Sequence, residues 1–165
     1  MPGPPVRTDI VDVYVFRRPS ARTVDVEFLQ LHRVATEKDL PQTWQPVMGH
    51  VEGEERAAHT ALRELQEETG FAVEHGLVGF WQLESPNTYF LHSHECFVMS
   101  PCFAAEVRPD AVPMLDPTHD AHRWVARPRV DRAFLWPGQR RAITEIVRDI
   151  LEPGAVAEPV LRIEL

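Results

Sequence analysis

Residues 49–71 read GHVEGEERAAHTALRELQEETGF. From about Arg56 to Thr69 the pattern predicts a helix, because Ala57, Ala61, Leu62 and Leu65 recur at mostly three-to-four spacing and Gly70 stands where a left-handed stop belongs. Each helical residue advances about 100°, so Glu67 lies about 60° to one side of Glu64 and Glu68 about 40° to the other. Three carboxylates therefore share one face. Like charges at i and i+4 oppose a helix by a few tenths of a kcal/mol, and the last two turns are the wrong end of the helix dipole for negative charge. Arg63 offsets part of this excess. A hard divalent cation would offset the rest, since Mg²⁺ takes oxygen ligands and keeps positions open for phosphates. On this face alone, a merely solvated Glu-rich surface is the competing reading.

Upstream, TDIVDVYVFR and TVDVEFLQLHR read as strands, and the intervening RPSAR predicts an antiparallel hairpin. The loop ATEKDLPQ leads to a short apolar stretch, TWQPVMG, ending at Gly49. Downstream, strand-like regions cover about 72–84 and 89–107, with SPN at 85–87 as a turn. A Pro- and Asp-rich loop from Arg108 to His119, a short strand HRWVA, and the helix GQRRAITEIVRDIL follow. In that helix Ala142, Ile143, Ile146, Val147 and Ile150 fall on one side. Residues 155–165 read either as an edge strand or as an ordered extension. Strands around a central helix, with a second helix at the end, indicate α/β layers on a mixed sheet.

Gly49, Glu55, Arg63, Glu64, Leu65, Glu67, Glu68, Gly70 and Phe71 stand at the spacing G-x5-E-x7-R-E-U-x-E-E-x-G-U, with U a bulky apolar residue. This segment resembles the Nudix box at every specified position. The resemblance implies one Nudix hydrolase domain over residues 1–165, built as an α/β/α sandwich with a central mixed β-sheet. It implies Mg²⁺, or Mn²⁺ in its place, held by Glu64, Glu67 and Glu68 with the Met48 carbonyl as a further ligand. It pairs Glu55 with Arg63 to fix loop against helix and places both in the catalytic set with the three glutamates. The implied reaction is hydrolysis of a phosphoanhydride bond in a nucleotide. Two departures stand out: the loop glycine is Gly53, with Glu54 where many members carry glycine, and Met48 precedes Gly49 in place of a Gly-Gly pair.

The stretches around TWQPVMGHVE and LWPGQRRAI resemble the deoxynucleoside triphosphate and dihydroneopterin triphosphate pyrophosphatases of the family. Trp44 is a candidate base-stacking side chain or a buried structural Trp, Arg33 a phosphate clamp or a surface arginine, and Gly49 lines the same substrate site. Trp136 and Gln139 read as packing residues. Some members use a Glu before a late strand as general base; Thr118 stands there, flanked by Asp116, His119 and Asp120. Asp120 is then a base or a turn-capping Asp, and His119 a ligand or a surface loop histidine. Pro86 resembles a marker of ADP-ribose pyrophosphatases and Tyr89 one of diadenosine polyphosphate hydrolases. An ADP-ribose or nucleotide-sugar pyrophosphatase is the rival enzyme, and a non-catalytic nucleotide-binding module the rival class. Family members are often dimers, which adds a homodimer to the expectations.

The whole chain agrees with a single domain: 165 residues, 44% apolar and 25% charged. Seventeen basic against 25 acidic residues, a net of −8, argue against general nucleic-acid or anionic-membrane binding. Lys38 is the only lysine. No apolar run nears the roughly 20 residues of a membrane span, and MPGPPVRTDI lacks the apolar core of a secretory signal. Cys96 and Cys102 form no redox or zinc pattern and read as buried thiols. A cytoplasmic protein is the expectation.

Overall fold

The computed structural model describes residues 3–165. Strand β2 (Ile10–Arg17) is its axis, buried along nearly its whole length. Successive side chains leave a strand on opposite faces, so Val11, Val13 and Val15 enter one hydrophobic cluster while Tyr14 and Phe16 enter another. Burial on both faces is why its sequence alternates so imperfectly. Around it lie β1 (Val6–Arg7), β3 (Glu27–Arg33), β4 (Trp44–Gln45), β5 (Val47–His50), β6 (Leu77–Gln82), β7 (Asn87–Leu91), β8 (Cys96–Ser100), β9 (Cys102–Val107) and β10 (His119–Ala126). The main sheet runs β10-β3-β2-β9-β6, with β4 on β3 and β5 on β2. Its β2–β9 pair is parallel and the others antiparallel.

Helix α1 (Ala57–Thr69) covers one face with Ala61 and Leu65. It stops at Gly70, whose φ of 72° is the left-handed conformation that glycine adopts without a Cβ penalty. The other face is covered by the short α2 (Val130–Ala133), by α3 (Pro137–Ile146) and by its π-helical continuation Val147–Leu151. The result is the expected α/β/α sandwich on a mixed sheet. Each fully buried large apolar side chain contributes about 1.5–3 kcal/mol, and Phe16, Phe28, Leu29, Leu31, Leu65 and Phe80 are all at most 2% exposed.

The hairpin expected from RPSAR exists only at its closed end, where Phe16 pairs with Phe28 and Arg17 with Glu27. Beyond it the strands part, and residues 44–50 enter the gap: β4 takes Leu31 and His32, and β5 takes Ile10–Val13. This wedge carries Gly49 to α1. Residues 72–84 hold a 3₁₀ turn, Val73–His75, before β6. The region 89–107 is broken three ways, with Pro101, which has no N–H to donate, between β8 and β9. Strands β1, β8 and β7 form a separate small sheet. The tail is a helical turn, α4 (Glu158–Leu161), followed by a bridge from Arg162 to Trp81. Its Leu161 is buried, so the segment is an ordered extension sealing the α3 side. Cys96 and Cys102 are buried free thiols, as expected. Among the described residues no helix is long and apolar enough to cross a membrane.

Candidate active site

Arg63 organises the box. Its Nε and Nη2 donate to the two carboxylate oxygens of Glu55, both at 3.0 Å, and Nη2 also donates to the His50 carbonyl at 2.8 Å. Its Nη1 donates to Glu64 at 2.9 Å and Glu67 at 3.0 Å. Glu55 also accepts from the Thr60 hydroxyl at 2.9 Å and the Glu52 N–H at 3.2 Å. A planar fork spreads five donors over three nitrogens and so spans acceptors that the single nitrogen of a lysine cannot reach together, so one guanidinium ties the 50–55 loop to α1. Arg63 holds the Glu55 carboxyl down at about 2, and the Glu55 hydrogen bonds in turn push the Arg63 guanidinium above its ordinary value.

Glu68 is left out of this arrangement. Its Oε2 is buried with no hydrogen-bond partner. Burial raises its pKa well above the carboxylate range, the Glu64 and Asp116 charges raise it further, and the Met48 N–H and Arg33 oppose them. Glu64 is shifted up as well, chiefly by burial and against the pull of Arg63. In extended backbone a residue's N–H and C=O leave the strand on the same side, so the Met48 carbonyl also faces the Glu68 side. Gly49 lets Glu64 into place: a Cβ there would lie 1.8 Å from the Glu64 Cδ.

The donor set fits a hard cation: carboxylate oxygens from Glu64, Glu67 and Glu68, one of them buried and unpartnered. Among the described residues no three acidic, His or Cys side chains converge at ligating distance. The cause is visible, since Arg63 draws Glu64 and Glu67 towards itself.

The other candidates are scattered. Arg33 closes β3 beside this pocket, its Nη2 on Glu37 at 2.7 Å and its Nε buried without a partner. Trp44 is neither a free platform nor a buried core residue: it is half-buried, with the Arg123 guanidinium 4.3 Å over its ring and His32 tilted against it at 4.9 Å. His119 corrects the surface-loop reading, being 8% exposed and bonded through Nδ1 to Asp116 at 2.7 Å. Asp120 is no turn cap. It sits at the irregularity in the β10–β3 register and pairs with His32 Nδ1 at 2.6 Å, so neither its position nor its partner directs it to Glu68. Thr118 donates to Asp116 at 2.7 Å. Asp116, one of the two aspartates flanking Thr118, is the loop acid whose charge reaches Glu68. Gln139 is buried and accepts from the Trp136 N–H at 3.2 Å, while Trp136 is half exposed. Pro86 and Tyr89 lie at and in the small-sheet hairpin.

Comparison with known proteins agrees with this geometry. The NUDIX domain description matches residues 7–146. A NUDIX hydrolase from Listeria monocytogenes is 26% identical, covering 85% of this chain and 92% of that one with a TM-score of 0.67. The E. coli dihydroneopterin triphosphate pyrophosphohydrolase is 22% identical over 88% of this chain and 96% of that one, TM-score 0.68, a likeness of fold. A Myxococcus xanthus protein named octanoyltransferase is 32% identical over 142 residues, 85% of this chain. The chain spans only 36% of that relative's length. A fold with this sheet order, carrying the complete 49–71 box and matched over most of its length, defines the class: the chain belongs to the Nudix hydrolase family.

Proposed function

We propose that the chain is a Mg²⁺-dependent pyrophosphohydrolase cleaving a phosphoanhydride bond of a nucleoside triphosphate or a related nucleoside diphosphate derivative, with Mn²⁺ able to replace Mg²⁺. The observation that carries this is Glu68 Oε2, buried without a hydrogen-bond partner on a carboxyl that the Glu64 and Asp116 charges also bear on. A solvated glutamate face has no reason to bury an unsatisfied oxygen, whose desolvation costs about 1–3 kcal/mol. A cation-binding face does.

In this reading Glu64, Glu67, Glu68 and the Met48 carbonyl hold the cation, and Glu55 holds Arg63 so that the carboxylates keep their spacing. The cation, when bound, neutralises diphosphate oxygens and lowers the pKa of an attacking water. Arg33, whose Nε lacks an acceptor, takes a phosphate oxygen at the rim. The Glu64 charge bears directly on the Glu68 carboxyl, so the proton acceptor is assigned to this pair of glutamates and not to one of them. Gly49 admits Glu64, and Trp44 with its Arg123 and His32 neighbours provides a surface for an aromatic base. A cytosolic setting is supported by the two unpaired thiols, Cys96 and Cys102.

The test is kcat/KM for deoxynucleoside triphosphates, dihydroneopterin triphosphate and ADP-ribose with Mg²⁺ and Mn²⁺, the products identified by ³¹P NMR. Turnover of a nucleoside triphosphate that Glu68→Gln lowers by roughly 10³-fold or more is expected. Preference for ADP-ribose would reassign the substrate. No turnover, with tight nucleotide binding, would make the chain a binding module.

A further inference from the structure

Arg33, at the end of β3, leaves one prong of its fork unpaired. Four other arginines of the chain grip a carboxylate with both Nε and Nη2: Arg7 on Asp9, Arg18 on Glu106, Arg63 on Glu55 and Arg148 on Asp149. Arg33 gives Glu37 only Nη2, at 2.7 Å, and its Nε on the same edge is buried without an acceptor. Glu37 thus satisfies half of an edge that two oxygens of a phosphate would fill. It sits in the loop of residues 34–43, which leads from β3 to β4 and is closed by the Gln42 N–H on the Arg33 carbonyl at 3.1 Å and the Arg33 N–H on the Thr43 carbonyl at 3.0 Å. Leu40 and Gln42 adopt φ of 49° and 56°, left-handed backbone that is costly for a residue with a Cβ. Leu40 is exposed and packs into no core cluster. Among the described residues, Glu37 is the only side chain of residues 35–42 that makes a hydrogen bond or an ion pair.

We propose that Glu37 is a displaceable latch: its carboxylate holds the place on Arg33 that a substrate phosphate takes, and the phosphate, by displacing it, unties the 34–43 loop. The inference rests on the reading of Arg33 as the phosphate clamp at the rim of the box. Two anions then compete for one guanidinium. Glu37 has the advantage of being tethered, at high effective concentration, but it engages a single nitrogen. A phosphate comes from solution and offers two oxygens to the Nε–Nη2 edge. An ion pair whose members are each about one-quarter exposed shifts an equilibrium only a few-fold, so the latch weakens phosphate binding by roughly 2–5-fold without abolishing it. Once Glu37 lets go, no side chain ties residues 35–42 to the body. The loop that leads into Trp44 is then free to reshape around whatever group the phosphate carries.

Lys38 makes the loop addressable. It is the only lysine, so a lysine-specific endoprotease cuts the chain at this loop alone. Cleavage of the full chain should quicken by roughly 2–5-fold in Glu37→Gln and in Glu37→Ala, both shown to be folded by thermal melts. Inorganic phosphate at about 50 mM without metal, against sodium chloride of the same ionic strength, should quicken the wild type and leave both variants unchanged. The Arg33 Nε–H resonance, identified by its loss in Arg33→Lys, should move with phosphate, and at lower phosphate concentration in Glu37→Gln. The proposal is overturned by a resonance that phosphate does not move, by phosphate slowing cleavage or quickening it equally in the Glu37 variants, or by variants cut no faster than wild type. Kinetics separates this latch from the reaction it serves. If a nucleotide is turned over and Glu37→Gln does not lower its KM, the latch fails and the enzyme stands. If no nucleotide is turned over while phosphate still exposes Lys38, the latch stands and the pyrophosphohydrolase reading fails.

Discussion

Gly49→Ala separates the chemistry of the site from the stability of the fold. The added methyl would lie 1.8 Å from Cδ, 2.1 Å from Oε1 and 2.2 Å from Cγ of Glu64. Carbon atoms in contact sit about 3.5–4.0 Å apart, so either the carboxyl retreats by roughly 1.5–2 Å or β5 lifts from β2. The carboxyl yields first. Gly49 has no positive φ and is paired with Val11 in a regular ladder, so its backbone accepts alanine, whereas lifting β5 would break that ladder. Retreat loses the 2.9 Å contact to Arg63 and forces a new rotamer, together about 1–2 kcal/mol, or a few degrees in Tm for a chain of this length. The effect on rate should be larger, because a misplacement of about 1 Å at a reacting centre can cost about 10²-fold. The expectation is kcat/KM lower by roughly 10²–10³-fold, or about 3–4 kcal/mol of transition-state stabilisation, in a protein that still melts cooperatively. A folded variant with wild-type kcat/KM would show that Glu64 does not need its place. A variant that cannot fold would show that the backbone, and not the side chain, gives way.

Arg63→Lys keeps the charge but cannot reach Glu55, Glu64, Glu67 and the His50 carbonyl together, and kcat/KM should fall by roughly 10²-fold or more. Glu55, held down at about 2 by Arg63, contributes stability that is present above the ordinary carboxylate pKa and lost as pH falls towards 2; acid melts of the Lys variant should lack that loss. Asp12 runs the other way: burial lifts it to about 6, against the Asn87 amide that donates to it at 2.7 Å. Its contribution is full below the unfolded carboxylate pKa and lost as pH rises through about 6, so in urea melts Asp12→Asn should gain up to about 3 kcal/mol on wild type between pH 4 and pH 8. A pH-independent difference would refute this. Leu161→Ala should cost about 2–3 kcal/mol in the same melts, because Leu161 is 8% exposed within the α3-side core; a cost below about 0.5 kcal/mol would show that the tail is only laid on the surface.

What could be read from the chain divides by the range of the interactions involved. The face shared by Glu64, Glu67 and Glu68, and the stop at Gly70, follow from helix geometry within 14 residues and needed no tertiary information. That Arg63 reaches both Glu64 and Glu67 was not legible locally, because only the loop can aim the guanidinium, through Glu55 and the His50 carbonyl. Asp116 could not be placed by local pattern at all. It reaches Glu68 because the 108–118 loop folds back on the end of α1, where the Met114 N–H meets the Thr69 carbonyl at 2.9 Å and the Met114 side chain covers Gly70. The surroundings of Trp44 were illegible for the same reason, since the arginine that stacks on it arrives through the β10–β3 register, which shifts between His119 and Ala121.

These long-range contacts also account for the unusual state of Glu68. Alone on α1, it would turn into solvent as Glu67 does, 57% exposed. It is kept inside by β5 on one side and by the Asp116 loop on the other, so that burial and two neighbouring acids act on the same carboxyl. Arg63 could have relieved this strain but is fully committed to five acceptors, two of them on Glu55. With two of those bonds spent on Glu55, the guanidinium reaches Glu64 and Glu67 but not Glu68, whose Oε2 stays buried without a partner.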